Sequence, residues 1–132
     1  MNLINFKVNE IYCENNLKAK SNLVLKIAFD IEITRHNDKN LTAVITYKIV
    51  DTNDENDDSF VMYITFQGDF ICNANDNAEN VGIDSFNLLQ PLMVNRIIDM
   101  AHAMGLANFK LDFVKLSNEK MSDENIEGNV LN

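Results

Sequence analysis

Residues 23–34 alternate between apolar and polar side chains more regularly than any other part of this sequence. The odd positions are all apolar, and the even positions are polar except for Val24 and Ala28. A period of two over twelve residues predicts a β-strand with one face buried and the other in water. This strand constrains the fold more than any other feature of the chain.

Three further segments have extended character. Residues 41–50 and 60–71 alternate in the same way, and Gly68 is a candidate bulge in the second of them. Residues 6–17 also alternate at first, but the pattern breaks at Ile11 and Tyr12, which predicts a bulge or a bend. Polar turns separate the segments, so we expect an antiparallel meander of four strands.

The period changes after the Asn-rich loop at 73–80. Apolar residues then recur at helical spacing, which predicts one long α-helix with Pro91 in its first turn and Gly105 at its end. Val94 and Ile98 lie off the apolar stripe, and a subunit contact is the simplest explanation for them. The stripe consists of Leu89, Leu92, Met93, Ile97, Met100, Ala101 and Met104.

The predicted fold class is therefore α+β, with a four-stranded antiparallel sheet covered by one long C-terminal helix. A chain of 132 residues has room for one domain. We assign that domain to residues 1–116 and expect residues 117–132 to form a polar, acidic tail or a frayed helix.

Charge and composition exclude several partners. The chain has 11 Lys and Arg against 20 Asp and Glu, a net charge of −9, so nucleic acids and anionic lipids would repel it. No apolar run is long enough for membrane insertion, and no signal-like segment is present. Cys13 and Cys72 do not form a disulfide framework, which favours a cytoplasmic protein with reduced thiols.

Residues that would carry catalysis or bind a metal are not grouped in this sequence. His36 and His102 have no metal-ligand spacing with either cysteine, and the Asp99–His102 pair has no nucleophile beside it. The acidic stretch at 51–59 alternates like a calcium loop, but Asn56 stands where that loop requires glycine. We therefore expect no metal site, no cofactor and no enzymatic activity.

What remains is a large apolar inventory of 8 phenylalanines, 6 methionines and 3 tyrosines. Most of these must fill the core and an oligomer interface. A subset is suited to line a groove for extended, apolar polypeptide, because aromatic and methionine side chains adapt to varied partners.

The order of these elements resembles that of SecB, the export chaperone family, from about Phe6 to Leu116. No single motif is specific, but their order and spacing agree. The matching segments are Phe6 to Tyr12, Leu25 to Asp30, Gly68-Asp69-Phe70, Leu89-Gln90-Pro91 with Arg96 and Gly105, and Phe109 to Leu116.

The resemblance implies a homotetramer that holds unfolded preproteins without ATP and passes them to the SecA motor. It also implies site residues. For the client groove these are Tyr12, Leu25, Ile27, Phe29, Phe70, Leu92 and Phe113. From the apolar pattern of the helix itself, we expect the oligomer interface at Met93, Val94, Ile97 and Ile98.

The sequence departs from the family at two places. The prolines of the post-helix segment are absent, and Phe113 occupies one of their positions. The acidic positions through which the family meets its motor fall at about Asn15, Ala19 and Tyr63, all neutral here, which weighs against motor docking more than against client binding. The alternative functions are a dedicated chaperone or adaptor for a single partner such as an antitoxin, and then an enzyme of unrecognised type.

Overall fold

The computed structural model describes residues 1–16, 22–51, 60–73, 80–116 and 125–131. The acidic connector at 52–59, the loop at 74–79 and the position Ala19 lie outside these ranges. The same holds for residues 117–124 of the expected tail. The described elements are β1 (Asn2–Asn15), β2 (Asn22–Arg35), β3 (Asn40–Asp51), β4 (Phe60–Ile71), α1 (Val81–Ala103) and β5 (Asn125–Leu131).

The predicted α+β architecture is confirmed: β1 to β4 form an antiparallel sheet, and α1 follows them. The prediction of a simple meander is wrong for the first strand. The sheet order is β1-β4-β3-β2-β5, so β1 pairs with β4 and lies three strand spacings from β2. Alternation determines which face of a strand is buried, but it does not determine which neighbour the strand joins.

The chain contains a fifth strand that the sequence analysis did not anticipate. β5 pairs antiparallel with the first half of β2, from Asn22 opposite Leu131 to Ala28 opposite Asn125. Asparagine, glycine and glutamate make up most of β5 and are poor strand formers, which is why this segment reads as a polar tail. Pairing with an edge strand overrides that local preference.

The irregularities of the sheet lie in β1 and not in β4. The register with β4 shifts between Leu3 and Asn5 and again between Val8 and Glu10, slightly before the predicted break at Ile11 and Tyr12. Gly68 is not a bulge, because its pairing with β3 is continuous on both sides.

The helix begins earlier than predicted, at Val81, so Pro91 lies inside it and not in its first turn. Proline lacks an N–H and leaves the carbonyl of Asn87 without its usual helical partner, but Asn87 is exposed and water can bond there. The end of the helix agrees with the prediction: Gly105 has φ +95°, and its N–H donates to the carbonyl of His102.

The core lies between α1 and one face of the sheet. Phe86 of α1 stacks on Phe29 of β2 with 4.7 Å between ring centroids, and it also lies against Tyr47. The odd positions of β2 from Leu25 to Phe29, the odd positions of β3 and the even positions of β4 point into this layer. α1 approaches β4 closely at Gly68, where an added Cβ would lie 2.7 Å from Cδ2 of Leu89.

We predict that Gly68→Ala lowers the free energy of unfolding by about 1–3 kcal/mol, the usual cost of overpacking a core. Leu89 is fully buried and has little room to move away from the new methyl group. Urea denaturation measures this effect. In a Leu89→Ala background the same substitution should cost clearly less, and an equal cost in both backgrounds would show that the helix does not approach the sheet at Gly68.

Candidate functional site

Large apolar side chains remain exposed in four parts of the described structure: the edge strand β1, the sheet face opposite the helix, the outer face of α1, and the segment after it. Eight such side chains are exposed among the described residues; a contiguous patch of them would mark a site where another chain binds, whereas single ones are common on any protein surface. The eight are Ile4, Ile11, Tyr12, Tyr63, Ile71, Leu88, Leu92 and Phe113.

Across the described ranges, no three histidine, cysteine, aspartate or glutamate side chains come close enough to hold a metal ion. Within the same ranges, no helix combines the length and the apolar character needed to cross a membrane. Cys13 and Cys72 are free thiols, and burial raises the pKa of Cys13, which disfavours its reactive thiolate.

The seven residues predicted to line a client groove do not come together on one surface. Four of them are core residues, because the predicted buried face of β2 is the face that α1 covers. Tyr12 lies on the opposite face of the sheet, across from Tyr63, and Leu92 lies on the outer face of α1. Phe113 is the most exposed of the seven, at 62%. The four core residues are Leu25, Ile27, Phe29 and Phe70.

The residues predicted for an oligomer interface are also largely internal. Met93, Val94 and Ile97 are buried within the single chain, and Ile98 is half-buried. The apolar residues that α1 directs outward are instead Leu88 and Leu92, one turn apart.

The segment 109–116, which we call the strap, runs back along α1 as an extended chain. Nε2 of His102 donates to the carbonyl of Phe109 at 3.2 Å, and Gln90 contacts Val114. His102 and Gln90 are about 18 Å apart along a helix at 1.5 Å per residue. The five steps from Phe109 to Val114 would span about 17 Å at the roughly 3.4 Å per residue of an extended chain, which fits the distance between the two contacts.

Gln90 binds the strap in the way one strand binds another. Its Nε2 donates to the carbonyl of Val114 and its Oε1 accepts from the N–H of Val114, both at 2.6 Å. The side chain of Gln90 is almost completely buried, at 4% exposed. A buried carboxamide is costly unless it is hydrogen-bonded, so Gln90 requires a main-chain partner at this position.

Apolar residues at the two ends of the strap anchor it, while its middle is open to water. Phe109 and Leu116 are buried, and Leu111 and Val114 are half-buried. Between them Phe113 points away from the protein. The strap therefore packs four apolar side chains inward and presents the aromatic ring of Phe113 on its outer side.

α1 has two different flanks. Gln90, Val94, Ile98 and His102 follow each other at intervals of four, which puts them on one side of the helix, under the strap. The other flank faces β1 across an open groove of about 240 Å³. That groove is lined by Val8, Ile11, Ile64, Arg96, Asp99, Met100 and Ala103.

The sheet face opposite the helix is mostly polar. A hydrogen bond from Thr42, supported by Asn5 and Gln67, lowers the pKa of the Asp69 carboxyl on this face. Nζ of Lys48 lies 5.6 Å from the centre of the Tyr63 ring. These groups satisfy one another, so this face is less suited to an apolar partner than the helix side.

The strap and its contact with Gln90 were missing from the sequence analysis. The apolar stripe led to the helix, but Gln90 carries no sign of its role beyond its place next to Leu89 in that stripe. Phe109, Leu111 and Phe113 alternate and indicate an extended segment, yet nothing in the sequence shows where such a segment lies.

Neither a protein-family profile nor a curated protein sequence matches this chain. Among solved structures, it is similar to a SecB-like chaperone of Mycobacterium tuberculosis in complex with a ChAD peptide from the HigA1 antitoxin. The TM-score is 0.68 with 10% sequence identity, and the match covers 86% of this chain and 90% of that one. The two proteins therefore share a fold, the one that the sequence resemblance implied.

Proposed function

We propose that the protein is an ATP-independent chaperone that holds unfolded polypeptide on the strap side of α1. The observation that carries this proposal is the strap itself, a stretch of extended chain whose main chain is hydrogen-bonded to the side chain of Gln90 on the helix. The fold shared with a SecB-like chaperone supports it. In this proposal the protein is cytoplasmic and is not an enzyme.

The chemistry of the strap side suits an unfolded client. Extended polypeptide offers free N–H and C=O groups and alternating side chains, and main-chain recognition requires no sequence code. Phe113 adds an exposed aromatic ring, which contributes a large contact area at modest entropy cost. The net charge of −9 disfavours acidic clients and helps to keep a complex with an unfolded chain in solution.

The proposal includes self-association, as the family resemblance implies, but through different residues from those first predicted. β1 lies at the end of the sheet order with no described strand beyond it, so its outer hydrogen-bonding edge is open. Ile4 and Ile11 on β1 and Leu88 and Leu92 on α1 are exposed apolar groups on this side. A second copy that covers them would bury both the edge and these side chains.

A dedicated chaperone for one partner is the second candidate function. It is favoured by the similar solved structure, in which a SecB-like chaperone is in complex with a peptide from an antitoxin. The neutral residues Asn15 and Tyr63 at two of the motor-contact positions also favour a role without the SecA motor. Asn15 already donates a hydrogen bond to the carbonyl of Met104. A general holdase should bind many unfolded chains, and a dedicated chaperone only one.

We predict that Phe113→Asp weakens client binding about tenfold or more. Burying a phenylalanine contributes about 1.5–3 kcal/mol, and each 1.4 kcal/mol is tenfold in affinity. The measurement is suppression of aggregation of a chemically unfolded protein without ATP, as the chaperone concentration needed for half suppression. Tyr63→Asp is the matched control, because it removes an exposed aromatic ring from the other side of the sheet and should leave suppression unchanged.

If Phe113→Asp and Tyr63→Asp have equal effects, the client does not bind on the strap side. If the unchanged protein suppresses no unfolded chain but binds one folded or peptide partner, the holdase proposal fails and the dedicated function replaces it.

We predict that Leu88→Glu lowers the native mass of the protein, because a buried charge at a subunit contact would separate the subunits. Native mass spectrometry measures this directly. Ile71→Glu is the control, because Ile71 is exposed to a similar extent but lies at the far face of β4. A native mass that stays the same in Leu88→Glu would exclude the outer face of α1 from the contact.

A further inference from the structure

We propose that the middle of the strap is an exchangeable occupant of its own binding site: an extended segment of a client takes over the hydrogen bonds between Gln90 and Val114, and residues 110–115 move away from α1. Phe109 and Leu116 stay anchored in the core, so the exposed ring of Phe113 remains beside the bound client. This inference rests on the proposed function and names how the site is regulated. The ligand class is unfolded polypeptide, recognised through its main chain.

Gln90 binds the strap through the main chain of a single residue. Its carboxamide donates to and accepts from one residue, Val114, at 2.6 Å in each direction. A main-chain residue in extended conformation offers that pair of groups whatever its side chain, with the exception of proline, which has no N–H. Gln90 therefore recognises the main chain of an extended segment and not its sequence.

The main chain of the strap makes few hydrogen bonds between its two ends. Among the residues that the structure describes, the two bonds to Gln90 are the only hydrogen bonds made by the main chain of residues 110–116. Each such bond contributes about 0.5–1.5 kcal/mol net. Between its buried ends, Phe109 and Leu116, the strap is thus held by two hydrogen bonds at Val114 and by the half-buried Leu111 and Val114, and this middle part can leave without disturbing the sheet.

Release of the strap takes both hydrogen-bond partners away from the side chain of Gln90. Water can reach the Gln90 carboxamide once the strap leaves, so the empty site costs at most about 1–3 kcal/mol, the penalty of a buried group left unpartnered. A client segment restores the same two bonds, and the exchange is close to neutral in hydrogen bonding. Apolar contacts then determine which segment is bound, and a client that buries more apolar surface than the strap displaces it.

The strap also explains selectivity against folded proteins. Because it is tethered to α1, its effective concentration at the site is on the order of millimolar, and weak or short ligands cannot displace it. Folded proteins have their main-chain groups already paired and cannot supply the N–H and C=O that Gln90 requires. Long unfolded chains can supply them, together with apolar side chains.

The test is hydrogen exchange of the Val114 amide in the full chain, followed by NMR with and without saturating reduced, carboxamidomethylated ribonuclease A, a basic protein that stays unfolded in this form, as the probe. We expect the exchange rate of this amide to rise at least tenfold when the probe binds, because the strap is released. The amide of Ile97 in the middle of α1 should not change. Unchanged or slower exchange at Val114 with the probe bound would overturn the proposal.

A pair of variants tests in a second way whether the hydrogen bonds between Gln90 and Val114 compete with a client. Val114→Pro removes the N–H that Gln90 accepts, so it should weaken the strap and raise the affinity for the probe about two- to tenfold. Asp112→Pro is the matched control, because Asp112 is exposed and its N–H makes no described hydrogen bond. Equal affinities of the two variants for the probe would show that the hydrogen bonds between Gln90 and Val114 do not compete with clients.

These outcomes separate the two proposals. If the protein binds no unfolded probe and suppresses no aggregation, the proposed function fails and the exchange fails with it. If the probe binds tightly while the Val114 amide stays protected, the chaperone function stands and the exchange alone is wrong.

Discussion

The packing of α1 against one face of the sheet determines every surface that this protein offers to a partner. Phe86 stacks on Phe29, and Leu89 lies over Gly68, where no side chain intervenes. Each large apolar residue buried in this layer contributes about 1.5–3 kcal/mol. Because the helix covers this face, the apolar residues of β2 become core, and partners are left with the outer face of α1, its two flanks and the polar face of the sheet.

The two flanks of α1 show how one helix can serve two purposes. On the flank toward β1 a groove and an open strand edge remain, which suits a second copy of the chain. On the other flank the protein binds a piece of itself, through the carboxamide of Gln90. A chain that already places an extended segment there has a surface on which other extended segments fit, and this is the physical basis of the chaperone proposal.

Much of the fold could be predicted from sequence, because alternation and helical spacing are local signals. The twelve-residue alternation at 23–34 identified β2, and the stripe around Met93 identified α1. Partner choice was not predictable in this way: β1 joins β4, and the weak strand formers of β5 pair with β2, because sheet edges and not local preferences decide these contacts. The start of the helix was predicted wrongly because Pro91 was assigned to the first turn. Proline is tolerated inside α1 because Asn87, four residues before it, is exposed to water.

The candidate site was less predictable than the fold. Ile27 and Met93 belong to apolar patterns that a groove, an interface and a core all share, and only the position of α1 shows that they are core. Phe113 was identified through the family resemblance and is indeed exposed. The role of Gln90 could not be predicted, since it depends on contact with Val114, which lies 24 positions further along the sequence.

Site-specific photo-crosslinking tests the central claim most directly. A photoreactive phenylalanine analogue would replace Phe113, and in a second sample Tyr63, in the presence of the same client in unfolded or native form. The account predicts crosslinks from position 113 to the unfolded client, few to the native client, and few from position 63 to either. Equal crosslinking from the two positions, or equal crosslinking to native and unfolded client, would contradict it.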